Sequence, residues 1–346
     1  MTDLAHATGR DEVEAALGRH RRELTGYCYR MLGSVHEAED AVQETLLRAW
    51  RAAESYEGRA AVRSWLYRIA TNVCLDAIKR RRRRQRPVDL GPAATASTPL
   101  GEPLPEQTFI EPIPDVEALA STDDPASDVM MRESIRLAFV AALQLLPARQ
   151  RAVLILCEVL RWPAADVADL LDNSVASVNS ALQRARATLA EQELDESELR
   201  DPQDHVQRVL LDRYVDAFER YDLDALVELL HEDLVMSMPP YDLWLRGPEQ
   251  LREWFLGAGH ECRGSVLVPV EANGAPGYAQ YRKSEAPGQY HAWAIQVLDV
   301  VDGRITALTS FLDTTLFARF GLPDHLDHPP ACSSWSGFRP TVRPET

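Results

Sequence analysis

Cysteine is scarce in this chain, and its few cysteines lie in no CxxC or His-x-Cys pairing. The five positions are scattered over the sequence: Cys28, Cys74, Cys157, Cys262 and Cys332. Structural zinc sites and small disulfide frameworks require closely spaced ligands or paired cysteines. We therefore expect reduced cysteines, several of them in the core, and neither a metal site nor a cofactor.

Long apolar runs are also missing. No segment approaches the roughly 18 consecutive apolar residues that cross a bilayer, and the N-terminal MTDLAHATGRDEVEAAL lacks the apolar stretch of a signal peptide. A content of 45% hydrophobic and 26% charged residues is ordinary for a soluble globular protein, and 346 residues suit two or three domains. We expect a cytoplasmic protein.

The net charge of −16 argues at first against nucleic-acid binding, but the charge is segregated. Arginine and lysine dominate the N-terminal helices, whereas residues 87–133 are strongly acidic. A chain with a basic DNA-facing surface and an acidic remainder would bind DNA weakly alone. It would need a partner to position it.

The most informative stretch is DAVQETLLRAWRAAESYEGRAAVRSWLYRIATNVCLDAIKRRRRR, residues 40–84. Apolar residues at helical spacing predict two helices separated by a polar turn, the second ending in unbroken cations. The first helix begins at Ser34, an N-cap with Glu37 as its capping-box partner, and is expected to bury Val42, Leu46, Leu47 and Trp50. Aromatic rings, an asparagine and cations on one element can stack on bases and hold phosphates.

These residues resemble region 2 of the extracytoplasmic-function (ECF) branch of the sigma-70 family, the promoter-recognition subunits of bacterial RNA polymerase. The resemblance covers roughly His20 to Arg84 and predicts a region 2 domain at residues 10–86. It implies that one helix face docks on the coiled coil of the polymerase's largest subunit, through Asp40, Gln43, Glu44, Leu47 and Arg48. An ordinary solvated helix face is the alternative interpretation.

The resemblance also implies a loop that captures an extruded base of the −10 element. The candidate DNA contacts are Tyr56, Arg59, Ser64, Trp65, Arg68, Asn72, Lys79, Arg80, Arg81, Arg82 and Arg83. Unstacked bases need new stacking and hydrogen-bonding partners, which aromatic and amide side chains offer. For Trp65, whose spacing to Ile69 is helical, a core position is the alternative.

Residues 87–127 are rich in proline, alanine, threonine and acids without periodicity, which predicts a linker that does not fold on its own. Linkers at this place in sigma factors thread the polymerase cleft, and a solvated spacer is the alternative. Its apolar patch FIEPIP, Phe109–Pro114, could dock on a specific surface.

Helical periodicity returns in residues 128–192, where Pro163 opens one helix and Ser174 caps the next. Two helices joined by a short turn predict a helix-turn-helix. The pattern resembles sigma region 4, which binds the −35 element and the polymerase flap. Val175, Val178, Leu182 and Ala185 are expected to be buried, and the DNA-facing candidates are Ser177, Asn179, Ser180, Gln183, Arg184 and Arg186. Family members usually carry lysine at the position of Asn179 and a cation at that of Ala181.

After a charged linker at residues 193–204, residues 205–322 predict helices leading into a curved antiparallel sheet, with an Asp302–Gly303 type I′ turn. This segment resembles the SnoaL-like branch of the NTF2-like superfamily, an α+β cone. A pocket would be lined by Met236, Met238, Trp244, Trp254, His291, Trp293 and Asp313. His291 and Asp313 could form a catalytic pair. We prefer the interpretation that these side chains fill the core or form a contact surface, because a fold alone does not establish an active site. Residues 323–346 are expected to form a tail.

The sequence therefore predicts a multidomain protein: all-α regions 2 and 4 and an NTF2-like cone. We expect a sigma factor without catalytic residues, monomeric when free, that binds core polymerase and promoter DNA and no membrane. Its cone would regulate it in cis, in place of an anti-sigma factor. The alternatives are a sigma factor whose cone binds or converts a small ligand, and a helix-turn-helix regulator that acts without polymerase.

Overall fold

The computed structural model describes residues 2–53, 56, 61–80, 83–119, 125–191, 205–285 and 288–328. Nine helices occupy the described residues up to 191. They are α1 Thr2–Leu32, α2 Val35–Ala52, α3 Val62–Ile78, α4 Asp115–Ala118, α5 Pro125–Glu133, α6 Leu137–Leu145, α7 Ala148–Leu154, α8 Ala164–Leu170 and α9 Val175–Ala190.

The described residues form two compact units. The helical unit contains the residues up to 84 and those from 117 to 191. The sheet unit contains residues 85–116 and those from 205 to 328. The sequence assigned residues 87–127 to a separate linker, whereas most of that segment belongs to the sheet unit.

Two serine caps in the helical unit match the sequence prediction. Ser34 Oγ accepts a hydrogen bond from the amide of Glu37 (3.1 Å) at the start of α2, and Ser174 Oγ accepts one from the amide of Ser177 (3.2 Å) at the start of α9. Each cap satisfies one of the amides that a helix start leaves unpaired. Both helix starts are therefore set locally.

The helix that precedes the helix-turn-helix ends irregularly. After α7, residues Ile155–Val159 form a π-helical turn, a wider turn that accommodates an extra residue. The chain then turns through Arg161, whose φ is +57°, and Trp162 donates its amide to the carbonyl of Leu156 (2.9 Å). This turn brings the Trp162 side chain to the side of the module that faces α3.

Four α-helices and seven strands occupy the described residues of the sheet unit. The helices are α10 His205–Arg220, α11 Leu223–Val227, α12 Pro248–Leu256 and α13 Leu316–Arg319, and the strands are β1 Leu230–Ser237, β2 Trp244–Arg246, β3 Val266–Ala272, β4 Ala275–Lys283, β5 Tyr290–Val301, β6 Arg304–Phe311 and β7 His325–Leu326. The sheet has the order β2-β1-β6-β5-β4-β3, with β7 paired to β5. Tyr214 of α10 stacks on Tyr278 of β4 with ring centroids 5.6 Å apart, so α10 covers the sheet.

The prediction of an antiparallel sheet needs one correction. The sheet is curved and mixed, because β1 runs parallel to β6. The predicted hairpin at Asp302–Gly303 is confirmed: both residues have positive φ, 48° and 73°, as a type I′ turn requires. A second hairpin of the same kind, at Asn273–Gly274 with φ of 56° and 68°, joins β3 to β4. The asparagine-glycine pair is itself a strong hairpin signal, which the sequence reading passed over.

Residues 85–116, which we call the strap, are held by both edges of the sheet. At the β2 edge, Ala94 donates its amide to the carbonyl of Trp244 (2.8 Å). At the β3 edge, the amide of Asn273 donates to the carbonyl of Ile113 and the amide of Ile113 donates to Asn273 Oδ1, both at 3.0 Å. Composition predicts that this segment does not fold alone, and the sheet supplies hydrogen-bond partners for it. The strap also covers edges that would otherwise expose unpaired backbone groups.

Candidate functional site

One face of α2 carries the residues predicted to contact polymerase. Asp40, Gln43 and Arg48 are exposed and Glu44 is half-buried, with Arg48 Nε 2.6 Å from Glu44 Oε1. The expectation that Leu47 and Trp50 lie inside is wrong, because 46% and 48% of their surfaces are exposed. Small residues and Val42 fill the buried side of α2 instead. Two large apolar side chains thus leave about half of their surface exposed beside a charged row, a combination typical of interaction surfaces.

The candidates for base capture cluster at the start of α3. Tyr56 and Trp65 pack together with ring centroids 5.1 Å apart, and both are half-buried. Ser64 is half-buried, and Asn72 is exposed about two turns further along α3. Trp65 is therefore neither fully in the core nor free, since it supports a second partly accessible ring. Arg59 lies outside the described residues.

The basic tract after α3 is mostly accessible. Lys79, Arg80 and Arg83 are exposed, while Arg81 and Arg82 lie outside the described residues. Arg84 is the exception, because only 3% of its surface is exposed and its Nη2 lies 3.2 Å from Glu37 Oε1. The tract thus presents cations for phosphates and anchors its last arginine on α2.

The two predicted DNA-binding modules pack against each other within the helical unit. Trp162 lies against Tyr67 of α3, with ring centroids 4.9 Å apart. The Arg63 guanidinium sits 5.1 Å from the Trp162 ring centroid and is held by Glu23 at 2.8 Å. Arg68, a −10 candidate, donates Nη2 to the carbonyl of Asp169 in α8 (2.5 Å). The helix that would meet the −10 element is therefore engaged by the helix-turn-helix.

Two buried arginines reinforce this contact. Arg151 of α7 donates to the Met31 carbonyl of α1 and to Gln144 Oε1 (2.6 Å) of α6. Arg30 of α1 donates Nε and Nη2 to Ser134 Oγ, at 2.9 and 2.7 Å. Burial lowers the pKa of each guanidinium to about 10, because charge is disfavoured away from water. No sequence pattern predicted that these two arginines are buried, since a single buried arginine has no periodicity.

The recognition helix α9 presents most of its predicted DNA-facing residues to solvent. Asn179, Ser180, Gln183 and Arg184 are exposed, and Ser177 is half-buried. Arg186 is exposed but forms an ion pair with Glu158. Val178 and Ala185 are buried as expected, whereas Val175 is wrongly predicted because 44% of its surface is exposed at the first turn.

The predicted pocket residues of the sheet unit divide into three groups. Met236, Met238 and Trp254 are buried in the hydrophobic core. Trp244 is buried and donates Nε1 to the carbonyl of Gly91 in the strap (2.9 Å). The remaining three, His291, Trp293 and Asp313, lie at one end of β5 and after β6.

The polar pair proposed for catalysis makes local contacts. His291 is exposed and its Nε2 lies 3.1 Å from Ser284 Oγ. Asp313 Oδ1 accepts from the amide (2.9 Å) and hydroxyl (2.7 Å) of Thr315, which caps the turn before α13. The Arg282 guanidinium carbon lies over the Trp293 ring, 3.4 Å from the ring centroid. None of these contacts joins His291 to Asp313.

A chain of hydrogen bonds between buried polar side chains crosses the interior of the sheet unit. The sequence analysis did not predict it. Tyr214 Oη donates to Gln296 Oε1 (2.9 Å), Gln296 Nε2 donates to Gln280 Oε1 (2.9 Å), and Gln280 Nε2 donates to Ser265 Oγ (3.1 Å). All four residues are buried, and burial raises the pKa of Tyr214. Glutamines on neighbouring strands β4 and β5 were the available signal.

Among the described residues, no group of His, Cys, Asp and Glu side chains is arranged to hold a metal ion. The same part of the chain contains no helix long and apolar enough to cross a bilayer.

Comparison with known proteins matches three family models: Sigma-70 region 2 at residues 17–84, Sigma-70 region 4 at 136–189 and the SnoaL-like domain at 211–308. The ECF RNA polymerase sigma factor SigG of Mycobacterium tuberculosis is 45% identical, over 93% of this chain and 89% of its own length. The probable ECF sigma factor SigI of the same organism is 30% identical over 86% of this chain and 92% of its own. The crystal structure of M. tuberculosis SigJ covers 89% of this chain and 99% of that chain, with a TM-score of 0.57 and 24% identity, and shows the shared fold.

A helical module ending in a basic tract, a helix-turn-helix and a SnoaL-like sheet domain define this class of transcription protein. The chain belongs to the ECF RNA polymerase sigma factors that carry a C-terminal SnoaL-like domain.

Proposed function

We propose that this chain directs bacterial RNA polymerase to specific promoters and that its sheet unit regulates this activity in cis. It would bind core polymerase and promoter DNA in the cytoplasm, where its relatives' polymerase acts. The observation that carries the proposal is the exposed apolar pair Leu47 and Trp50 beside the charged row of α2. A folded monomer gains nothing from exposing two such side chains, whereas a docking partner would bury them.

The DNA contacts divide between two surfaces. The exposed cations after α3 would bind phosphates, and the Tyr56–Trp65 pair would stack on an unpaired base of the −10 element. The open face of α9, from Asn179 to Arg184, would enter the major groove of the −35 element. Its three exposed uncharged residues, Asn179, Ser180 and Gln183, supply little phosphate attraction. We infer that −35 binding depends on polymerase holding the module in place.

Regulation in cis is supported by the strap. The segment that joins regions 2 and 4 makes one backbone and one side-chain hydrogen bond with each of Trp244 and Asn273 of the sheet unit. A docked strap favours one arrangement of the chain. Its contacts can change promoter output only if their free energy differs between the free and the polymerase-bound protein. We propose that the sheet unit acts through this hold, as a monomer and without a separate anti-sigma factor.

The sheet unit is proposed to be non-catalytic. Its interior contains a hydrophobic core and the hydrogen-bonded chain from Tyr214 to Ser265. Inserting a ligand there would break a satisfied buried network, which is costly.

The test is run-off transcription with purified core enzyme. The native chain should initiate from the chromosomal region upstream of its own gene, whereas Gln43→Ala with Glu44→Ala should lose polymerase binding in a pull-down while retaining its helical circular dichroism. Arg51→Ala, also exposed on α2, is the matched control and should bind normally. Specific binding of promoter DNA at physiological salt without core polymerase would support the rival regulator instead.

Cis regulation has its own measurement. Removal of the chain after Gln203 should change the amount of transcript at a fixed polymerase concentration. Unaltered output would show that the sheet unit is passive, while leaving the sigma-factor function intact.

A further inference from the structure

The strap is closed on itself as well as held by the sheet. Gln85, its first residue, donates its amide to the carbonyl of Thr108 (2.8 Å) and accepts a hydrogen bond at its own carbonyl from the amide of Ile110 (3.2 Å). These two bonds form a parallel backbone bridge between Gln85 and Phe109. The chain thus leaves the basic tract, runs around a loop of more than twenty residues and returns to its starting point.

The base of this loop is buried and firmly held. Phe109 and Ile110 are almost fully buried. Just beyond them, Ile113 exchanges two hydrogen bonds with Asn273, and Asp115 Oδ1 accepts from the amide of Gly274 (2.8 Å). On the other side, Arg84 is anchored to Glu37 in the helical unit. The bridge therefore joins two points that are each fixed by further contacts.

Closure of the loop limits how far regions 2 and 4 can separate. From Ile110 to Pro125, where α5 begins, there are about 15 residues, which extend to about 50 Å at most. That length is reached only if α4 and the contact with Asn273 are pulled straight. With the bridge open and the strap released from Trp244 and Asn273, about 40 residues from Gln85 to Pro125 can extend to about 135 Å.

Promoter geometry demands more than the closed tether gives. The −10 and −35 elements are separated by about 25 base pairs, or about 85 Å at 3.4 Å per base pair. Adding about 10 Å at either end for the width of a helix brings the closed tether to about 70 Å. The closed strap falls short, and the open strap exceeds the requirement.

We propose that the Gln85–Phe109 bridge is a tether lock: closed, it restricts the chain to one promoter element at a time, and it must open before both elements are occupied. This inference rests on the proposed function of the two DNA-binding surfaces. It assigns the limiting contact to two backbone hydrogen bonds inside the linker itself.

A reversible crosslink tests the lock. Paired residues on neighbouring strands lie about 4.8 Å apart, within the separation a disulfide spans, so Gln85→Cys with Phe109→Cys can be bridged. Oxidised glutathione takes up the two electrons and two protons of the thiols and is itself reduced to two thiols. The crosslink should form in the free protein, and mass spectrometry of peptides containing both positions detects it. Failure to crosslink would contradict the bridge.

The readout is run-off transcription with core polymerase. On a promoter with both elements, the oxidised double variant should give at least about tenfold less transcript than the same protein after reduction. On a template with a pre-melted −10 element and no −35 element, the two forms should be equal. The native chain treated with the same oxidant controls for its own cysteines. Equal output of the two forms on the two-element promoter would overturn the lock.

A second variant keeps the test independent of the new cysteines. Gln85→Pro removes the amide that Thr108 accepts from, whereas Gln85→Ala retains it and is the matched control. The proline variant should give more transcript than the alanine variant at limiting protein on the two-element promoter, and output no higher than that of the alanine variant would overturn the proposal. If neither the native chain nor the reduced variant initiates with core polymerase, the proposed function itself fails.

Discussion

Replacing Trp162 tests the packing of the two DNA-binding modules. Only 8% of its surface is exposed, so the indole buries about 200 Å², worth about 5 kcal/mol at 25 cal/mol per Å². Residual burial in the unfolded chain reduces this to about 3–4 kcal/mol, and loss of the Tyr67 ring contact adds up to about 1 kcal/mol. Trp162→Ala should therefore destabilise the helical unit by about 4 kcal/mol.

Amide hydrogen exchange measured by mass spectrometry locates the effect. If Trp162 couples the modules, Trp162→Ala should raise exchange in both α8 and α3 by about 100-fold or more, because each 1.4 kcal/mol is a factor of ten. Trp254→Ala is the matched control, since Trp254 is also buried, with 5% of its surface exposed, but belongs to the sheet unit. It should raise exchange in α12 and leave α3 unchanged. Faster exchange in α8 with no change in α3 after Trp162→Ala would refute the coupling.

Three further predictions concern the other surfaces. Leu47→Ser with Trp50→Ser should weaken the pull-down of core polymerase while leaving the thermal midpoint nearly unchanged, because both side chains are exposed; a lowered midpoint would mean that they support the fold instead. Arg80→Ala with Arg83→Ala should weaken binding to all DNA sequences in the polymerase complex and reduce the slope of log affinity against log salt by about 2, which salt titrations of promoter and random DNA measure. The hydrogen bond between Asp324 and His325 raises the pKa of His325 and lowers that of Asp324, so their interaction is lost as pH rises through the raised histidine pKa or falls through the lowered carboxyl pKa. Asp324→Asn should return the NMR-measured pKa of His325 towards its ordinary value near 6.5, and an unchanged titration would contradict this assignment.

Features determined by neighbouring residues were predictable from the sequence. Ser34 and Ser174 cap helices because their hydroxyls reach amides three residues ahead, and Asp302–Gly303 forms a hairpin turn because both residues tolerate positive φ. The family resemblance and the order of the domains could likewise be recognised from local motifs. These inferences need no knowledge of distant contacts.

Features determined by distant contacts were not predictable in the same way. Helical spacing identified Leu47 and Trp50 as apolar positions, but periodicity does not distinguish a core from a partner surface. Composition predicted that the strap would not fold alone, but it carried no information about Asn273 as its partner. The parallel pairing of β1 with β6 depends on how the chain crosses the sheet, which no short window of residues encodes.

The π-helical turn at Ile155–Val159 makes chain length itself a determinant of module packing. An extra residue in a helix rotates everything after it by about 100°, and the indole of Trp162 follows this turn directly. Removing one residue here would restore a regular helix and swing the indole away from α3 without altering any side chain in the contact. When sigma factors of this kind are aligned, a single-residue gap between positions 155 and 162 would therefore mark homologues in which the two modules no longer share this aromatic contact.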